Sequence, residues 1–231
     1  MNKKIAIMQP YFFPYLGYFQ LIHDVDEFIF YDDVNYIKSG WINRNRIVSK
    51  ATGNKPVYFG MPLQNSSSFK KIHNTFVNPG GQWREKTLKT LKNCYSRHNN
   101  FDEIYKLAES VILHDSNNLA ELSVLSVQNI CEYLGIETEI ITSSRSFNNC
   151  NLGATERIVD ICKQRNANEY INAIGGKKLY EKKRFASHDL KLGFLQTKHF
   201  EYEWWNLSIL HLLMILGKQK VLKMLESYEI V

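Results

Sequence analysis

The sequence predicts an α/β fold: a mostly parallel sheet of Rossmann-like type, with a helical insert and a C-terminal helical hairpin. Three observations predict it. Strand, helix, strand patterning occurs at the start and again over residues 139–172. All five prolines (Pro10, Pro14, Pro56, Pro62, Pro79) fall in the first third, which leaves the remainder free to run as long helices. The third is size: 231 residues with 44% hydrophobic and 13% aromatic content can fill a large core. Surface scaling for such a chain gives roughly 11,000 Å² accessible against roughly 39,000 Å² unfolded, so about 70% is buried on folding. One domain over residues 1–231 is expected, with the insert roughly at 82–135 and the hairpin at 206–228.

Taken in order, Ile5–Gln9 is a short apolar run after a charged start and reads as a buried first strand. Tyr18–Asp24 is helical and leads to a second strand, Phe28–Tyr31; Val57–Met61 is a third, ended by Pro62. Between strands two and three, Asp32–Lys50 is too rich in polar and aromatic side chains for a plain connector. From Gln82 the period changes to that of helices. Trp83, Thr87, Leu91 and Tyr95 are spaced by four, as are Ile104, Ala108 and Ile112, and the run from Leu119 to Leu134 stops at Gly135 as a C-cap. Glu139–Thr142 reads as a strand, Thr155 as the cap of a helix through Arg165, Glu169–Ala173 as a strand, Gly175-Gly176 as a turn and Leu192–Leu195 as the last strand. Leu207–Leu216 and Gln219–Ser227 form a helical hairpin about Gly217, with two roles open to it, core or dimer face.

The composition excludes disordered, collagen-like and low-complexity chains. No apolar run reaches the ~20 residues that span a bilayer; Leu207–Leu216 is short and carries His211. Gln9-Pro10 interrupts the only leader-like start, so a cytoplasmic protein is expected. Cys94, Cys131, Cys150 and Cys162 have no paired spacing and read as free thiols, with no metal site. The seven histidines show no ligand spacing, and no cofactor motif is present: Asn172–Lys177 matches neither a Walker loop nor a dinucleotide fingerprint. A formal charge of +6 suits a phosphate-bearing substrate or RNA without choosing between them.

Ligands of parallel sheets sit outside the carboxyl ends of strands, so Gln9–Gly17, Tyr31–Arg46 and Asn172–Lys177 are expected to share one crevice. In the first segment two prolines stiffen an aromatic loop, and Gly17 opens a helix whose free N–H groups suit an anion; the competing reading is an aromatic plug. Asp32-Asp33 supplies a carboxylate that takes a proton, binds an ammonium or holds a divalent metal, or simply caps a turn. In Lys38–Arg46, Arg44 and Arg46 supply planar forks for phosphate, Asn43 and Asn45 donors and acceptors, and Trp41 a stacking face. On a β-hairpin edge, Asn43 and Arg44 alternate faces and only one set meets ligand. Asn172, Gly175, Gly176 and Lys177 let a backbone approach an anion with an added charge.

The run Ile7–Phe19, followed by Asp26, Phe28, Asp32-Asp33-Val34, Trp41 and Asn43-Arg44-Asn45, resembles the WbqC-like family of bacteria. Leu134-Gly135-Ile136, Glu156-Arg157 with Asp160, Tyr170-Ile171-Asn172, Gly175-Gly176 and Leu207-Ser208-Ile209 extend the resemblance over essentially the whole chain. His211 stands where the family pattern often has Asp, and Asn35 where Gln is usual. The resemblance implies a place in O-antigen or other surface-polysaccharide biosynthesis. It further implies transfer of an amino-acid-derived acyl group, glycine being the favoured example, to an amino sugar.

On that reading the chain is an acyl- or aminoacyltransferase acting on the amine of a nucleotide-linked deoxyamino sugar, without a bound cofactor. Arg44 and Lys177, with the helix opening at Gly17, take the diphosphate; Trp41 or Tyr11 stacks on base or sugar; Lys38, Asn43, Asn172, Gly175 and Gly176 complete the binding set. Asp33 orients the amine and accepts its proton, with Asp32 as substitute, while Gln9, Asn45 or Tyr18 polarises the carbonyl. An aminoacyl-tRNA donor would account for the basic surface; amino acid with ATP and acyl-coenzyme A remain open. A non-catalytic sugar-nucleotide binding or assembly factor is the alternative, and a homodimer the other expected partner.

Overall fold

The computed structural model describes residues 2–49, 52–80 and 82–231. Its centre is a six-stranded sheet: β1 (Lys4–Met8), β2 (Glu27–Phe30), β7 (Glu139–Ile141), β8 (Glu169–Ala173), β9 (Lys191–Thr197) and β10 (Tyr228–Ile230), in the spatial order β10-β9-β8-β1-β2-β7. All neighbouring pairs are parallel except β9–β10. The chain leaves β1 through α1 (Leu16–Asp24) toward β2 and β7, then returns through α5 (Ala154–Gln164) to β8 on the other side of β1. The order therefore reverses between β1 and β8, the place where sheets of this kind bind ligands.

β1 is buried on both faces, as helix-covered parallel strands must be. Its period of two divides it cleanly. Ala6 joins the larger core with Phe28 and Phe30, whereas Ile5 and Ile7 join the smaller one with Ile29, Ile158, Ile161 and Tyr170. The larger core is covered by α1, by the insert helices α2 (Trp83–Tyr95), α3 (Phe101–Ile112) and α4 (Leu119–Leu134), and by α7 (Ile209–Leu216) and α8 (Lys218–Leu225). The C-terminal hairpin is thus core: Ile209, Leu210, Leu212, Leu213 and Val221 are fully buried within the chain. Asn118 caps α4 by accepting from the Glu121 N–H at 3.1 Å, and Gly135 ends it with φ +75°, as the glycine signal predicts. No helix among the described residues is long and apolar enough to cross a membrane.

Four expectations need correction. The strand at 57–61 is real, as β4 (Lys55–Gly60), but it pairs with β3 (Arg44–Ser49) in a separate hairpin, outside the central sheet. The sequence conceals β3 because polarity does not follow burial there: the buried face carries Asn45 and Ser49 beside Ile47, and the other face carries Val48 beside Arg44 and Arg46, so no apolar period of two appears. Gly153, not Thr155, precedes α5 as its cap. Leu192–Leu195 is not the last strand, since β10 adds an antiparallel edge, and the short α6 (Lys182–Ala186) precedes β9. Two further pieces, β5 (Leu63–Gln64) and β6 (Phe76–Val77), pair with each other.

The hairpin register depends on Gly60, whose φ is +157°. A Cβ there would stand 2.3 Å from the Asn43 carbonyl oxygen and 2.6 Å from the Arg44 Cα. Both are backbone atoms, so Gly60→Ala is expected to destabilise the protein by more than about 1 kcal/mol. A urea titration unchanged by the substitution would contradict this close approach.

Candidate functional site

The loops leaving β1, β2 and β8 enclose a crevice of about 610 Å³. The first lends Gln9, Tyr11 and Tyr15; the second lends Tyr31, Val34 and Ile37, followed by Trp41, Asn45 and Arg46; the third lends Asn172, Gly175, Gly176, Leu179 and Tyr180. The three segments singled out in the sequence do meet here, at the reversal of strand order.

The first loop is both rigid and divided. Phe12 and Phe13 turn into the core with ring centroids 4.7 Å apart, which leaves Tyr11 and Tyr15 for the crevice. Phe13 sits at φ +42°, a strained conformation for a bulky residue. Distant elements hold it there. Its carbonyl accepts from Asn45 Nδ2 and from Ser208 Oγ, each at 2.8 Å, and its N–H donates to Ser126 Oγ at 3.0 Å. Strain of about 1–3 kcal/mol persists only when the surroundings over-determine it, and it gathers at ligand sites.

Arg46 is the one charged side chain among the described lining residues. Its guanidinium lies over the Trp41 ring at 5.1 Å; Trp41 in turn stacks on Tyr58 at 6.2 Å and 20°, and Arg44 covers Tyr58 at 4.8 Å. Arg46 Nε is buried and has no hydrogen-bond partner among the described residues. Buried donors are nearly always paired, so the hydrogen bonding of Arg46 stands incomplete among the described residues.

Of the residues expected at the site, Gln9, Tyr11, Trp41, Asn45, Asn172, Gly175 and Gly176 line the crevice. The others do not. Tyr18 lies beneath it, its hydroxyl donating to the Gln9 carbonyl at 2.8 Å. Gly17 serves packing: a Cβ would come within 2.6 Å of the Tyr15 ring and 2.8 Å of Thr197 Oγ1. Lys38 and Lys177 are exposed. Asn43 bridges the Tyr36 hydroxyl and the Met61 carbonyl, while Arg44 folds back onto the Gly40 and Ser39 carbonyls; both face a cleft between the hairpin and α2.

Neither aspartate lines the crevice. Asp33 accepts from Arg157 Nη2 at 2.6 Å and from Ser144 Oγ at 2.5 Å. Burial pushes its carboxyl up, but the Arg157 and Ser144 hydrogen bonds outweigh that and hold it below the ordinary value. Arg157 also lies across the Tyr31 ring at 4.7 Å, so the pair braces a crevice wall from behind. Asp32 accepts from Ser143 Oγ at 2.8 Å and opens onto a separate cleft with His73, Thr142 and Arg145. Sequence reasoning grouped Arg46 with Arg44 as a phosphate fork, placed Tyr15 and Tyr31 in the crevice segments without a role of their own, and left Arg157 out of the site. What separates Arg46 from Arg44 is that Arg44 hydrogen-bonds back onto the Gly40 and Ser39 carbonyls, a contact no local spacing announces. Arg157 lies on α5, far along the chain from Asp33, and no local spacing points to it.

The sequence model of the WbqC-like protein family matches residues 9–223. The chain belongs to the WbqC-like family. The uncharacterized protein Rv1507c of Mycobacterium tuberculosis is 33% identical over 192 residues, covering 82% of this chain and 80% of its own. No solved structure matches the chain.

In this WbqC-like crevice the tyrosines stay protonated at neutral pH. Burial first, then the neighbouring Tyr11, pushes the Tyr15 hydroxyl up to about 12. Burial likewise raises Tyr31 to about 12 against the lowering influence of Arg157. The described lining residues therefore present a single positive charge, hydroxyl and amide donors, and aromatic faces. That set suits an anionic ligand with a planar or ring-shaped part.

Proposed function

We propose that the crevice binds a nucleotide-linked deoxyamino sugar and that the chain transfers an acyl or aminoacyl group, of glycine type, onto its amine in surface-polysaccharide biosynthesis. The observation that carries the binding half is Arg46, a cation that lines an aromatic crevice and whose buried Nε has no partner among the described residues. Arg46 takes the diphosphate, in place of Arg44, and Trp41, Tyr11 or Tyr31 stacks on base or sugar. Gln9, its backbone held by Tyr18, and Asn172 orient the amine and the acyl carbonyl. Asp33 acts through Arg157 as a positioning residue. The amine nitrogen attacks the acyl carbon, the bond to the leaving group breaks, and the leaving group carries off the proton.

A second reading, sugar-nucleotide binding without turnover, is favoured by one observation. The described lining residues include no carboxylate, imidazole or lysine to accept the amine's proton.

The test is a mass spectrum of a dTDP-4-amino-4,6-dideoxyhexose incubated with the protein, once with glycyl-tRNA and once with glycine and ATP. A glycyl mass gain establishes transfer and names the donor; binding with no gain in either tube supports the second reading. Arg46→Gln is expected to weaken binding of the sugar nucleotide about 10–100-fold, the worth of a hydrogen-bonded charge. Equal affinity in the variant would remove Arg46 from the proposal.

A further inference from the structure

The mouth of the crevice carries apolar side chains that the chain leaves uncovered. On one side Ile37, 52% exposed, lines the crevice. Phe69, 90% exposed, stands near it, because the Tyr36 N–H donates to the Lys70 carbonyl at 2.8 Å and Asn35 pairs with Lys71 in an antiparallel bridge. On the other side Leu179, 73% exposed, lines the crevice, and the exposed Ile174 leads into Gly175-Gly176. Exposed lysines flank both groups: Lys38, Lys70 and Lys71 on the first side, Lys177 and Lys178 on the second. None of the five forms an ion pair among the described residues.

Three partners fit an apolar and basic surface, and the chemistry separates them. A nucleic acid stacks on aromatic faces, and of the four apolar prongs only Phe69 has one; Ile37, Ile174 and Leu179 offer neither a π face nor a hydrogen-bonding group. Protein interfaces are depleted in lysine, and here every apolar prong has a lysine within three residues of it in the chain. Hydrocarbon beneath a layer of phosphates matches both halves at once. We propose that the crevice mouth docks on an anionic bilayer surface. Ile37, Phe69, Ile174 and Leu179 enter the boundary between headgroups and acyl chains, and the lysines face the lipid phosphates. The crevice then opens toward the membrane plane. This placement does not depend on the transfer reaction and is tested without turnover.

The test is co-sedimentation of the full chain with vesicles of phosphatidylcholine alone, or of phosphatidylcholine with about one-third phosphatidylglycerol as in bilayers of strong surface charge. Binding is expected on the anionic vesicles, weakening as salt is added, and not on the neutral ones. Each lysine near such a surface contributes about five-fold, so replacing Lys70, Lys71, Lys177 and Lys178 by Gln lowers partition by at least about 100-fold. Leu179→Gln with Phe69→Gln lowers it by about ten-fold or more, since each removes a buried apolar side chain. All six side chains are exposed, and thermal melting confirms that the variants fold. Failure to sediment with anionic vesicles at low salt overturns the proposal. So does sedimentation that ignores the Leu179 and Phe69 substitutions. A single-stranded oligonucleotide that binds more tightly than the vesicles, and equally well to the apolar variant, would make this a polyanion surface instead.

Discussion

Asp33→Ala is expected to cost about 3–5 kcal/mol of folding stability. The carboxylate and the Arg157 guanidinium are both almost wholly buried and lie 2.6 Å apart. Removing one leaves the other charged, desolvated and unpaired, beneath the Tyr31 ring it supports. Ser144 loses an acceptor as well. Asp33→Asn keeps an acceptor for Ser144 and is expected to lose less. Replacing both partners, as Asp33→Leu with Arg157→Met, is expected to be milder than either truncation alone, because no unpaired charge remains. Urea unfolding of the single and double variants measures all three. A loss under about 1 kcal/mol for Asp33→Ala would show that water reaches Arg157. Since Asp33 is held low by its partners, its stabilising contribution is present above the ordinary carboxylate value and fades as pH falls toward the folded one.

The second large effect is on acid stability and centres on His211. Its ring is buried between two tyrosine hydroxyls, Tyr95 at Nδ1 (2.7 Å) and Tyr202 at Nε2 (2.6 Å). Burial, with a smaller contribution from His98, lowers its pKa from the ordinary 6.5 to about 4. The unfolded chain therefore binds a proton that the folded chain refuses. The stabilisation is complete above pH 6.5 and is lost as pH falls through the window down to about 4. A difference of that size is worth about 3 kcal/mol. Nuclear magnetic resonance of the His211 ring should show no titration between pH 8 and 5. The wild type should also lose its stability margin over His211→Gln across the same window. A ring that titrates near 6.5 would contradict the enclosed geometry.

The two positions show what a sequence reveals and what it hides. Repeated apolar patterns with glycine punctuation made β1, β2, β8 and the long helices legible, since burial on a sheet or helix face is periodic. The same logic located the crevice, because the carboxyl ends of those strands are fixed once the strands are. Which side chains enter it was another matter. Asp33 and Arg157 meet only through the crossover from β7 to β8. The choice of Arg46 over Arg44 depends on how Arg44 hydrogen-bonds back onto its own loop. β3 is hidden because its buried face includes the polar Asn45 and Ser49, so the apolar alternation of a strand is missing. Long-range pairing leaves no periodic trace, so these contacts become visible only with the fold.

The sheet itself sets the order in which the molecule can assemble. β1, α1 and β2 are contiguous and can associate early, but β7 must find β2 across residues 31–138, and β8 must find β1 from Glu169 back to Lys4. Closing such long segments precedes the contacts that reward it, so the refolding rate is governed by topology more than by local helix formation. The wall formed by Asn172 and Gly175-Gly176 joins the walls formed by Tyr11 and Arg46 only when β8 has docked. Ligand protection in a refolding experiment should therefore appear with the last cooperative step, and amides of β1, paired on both sides like those of β2 and β8, should be among the slowest to exchange.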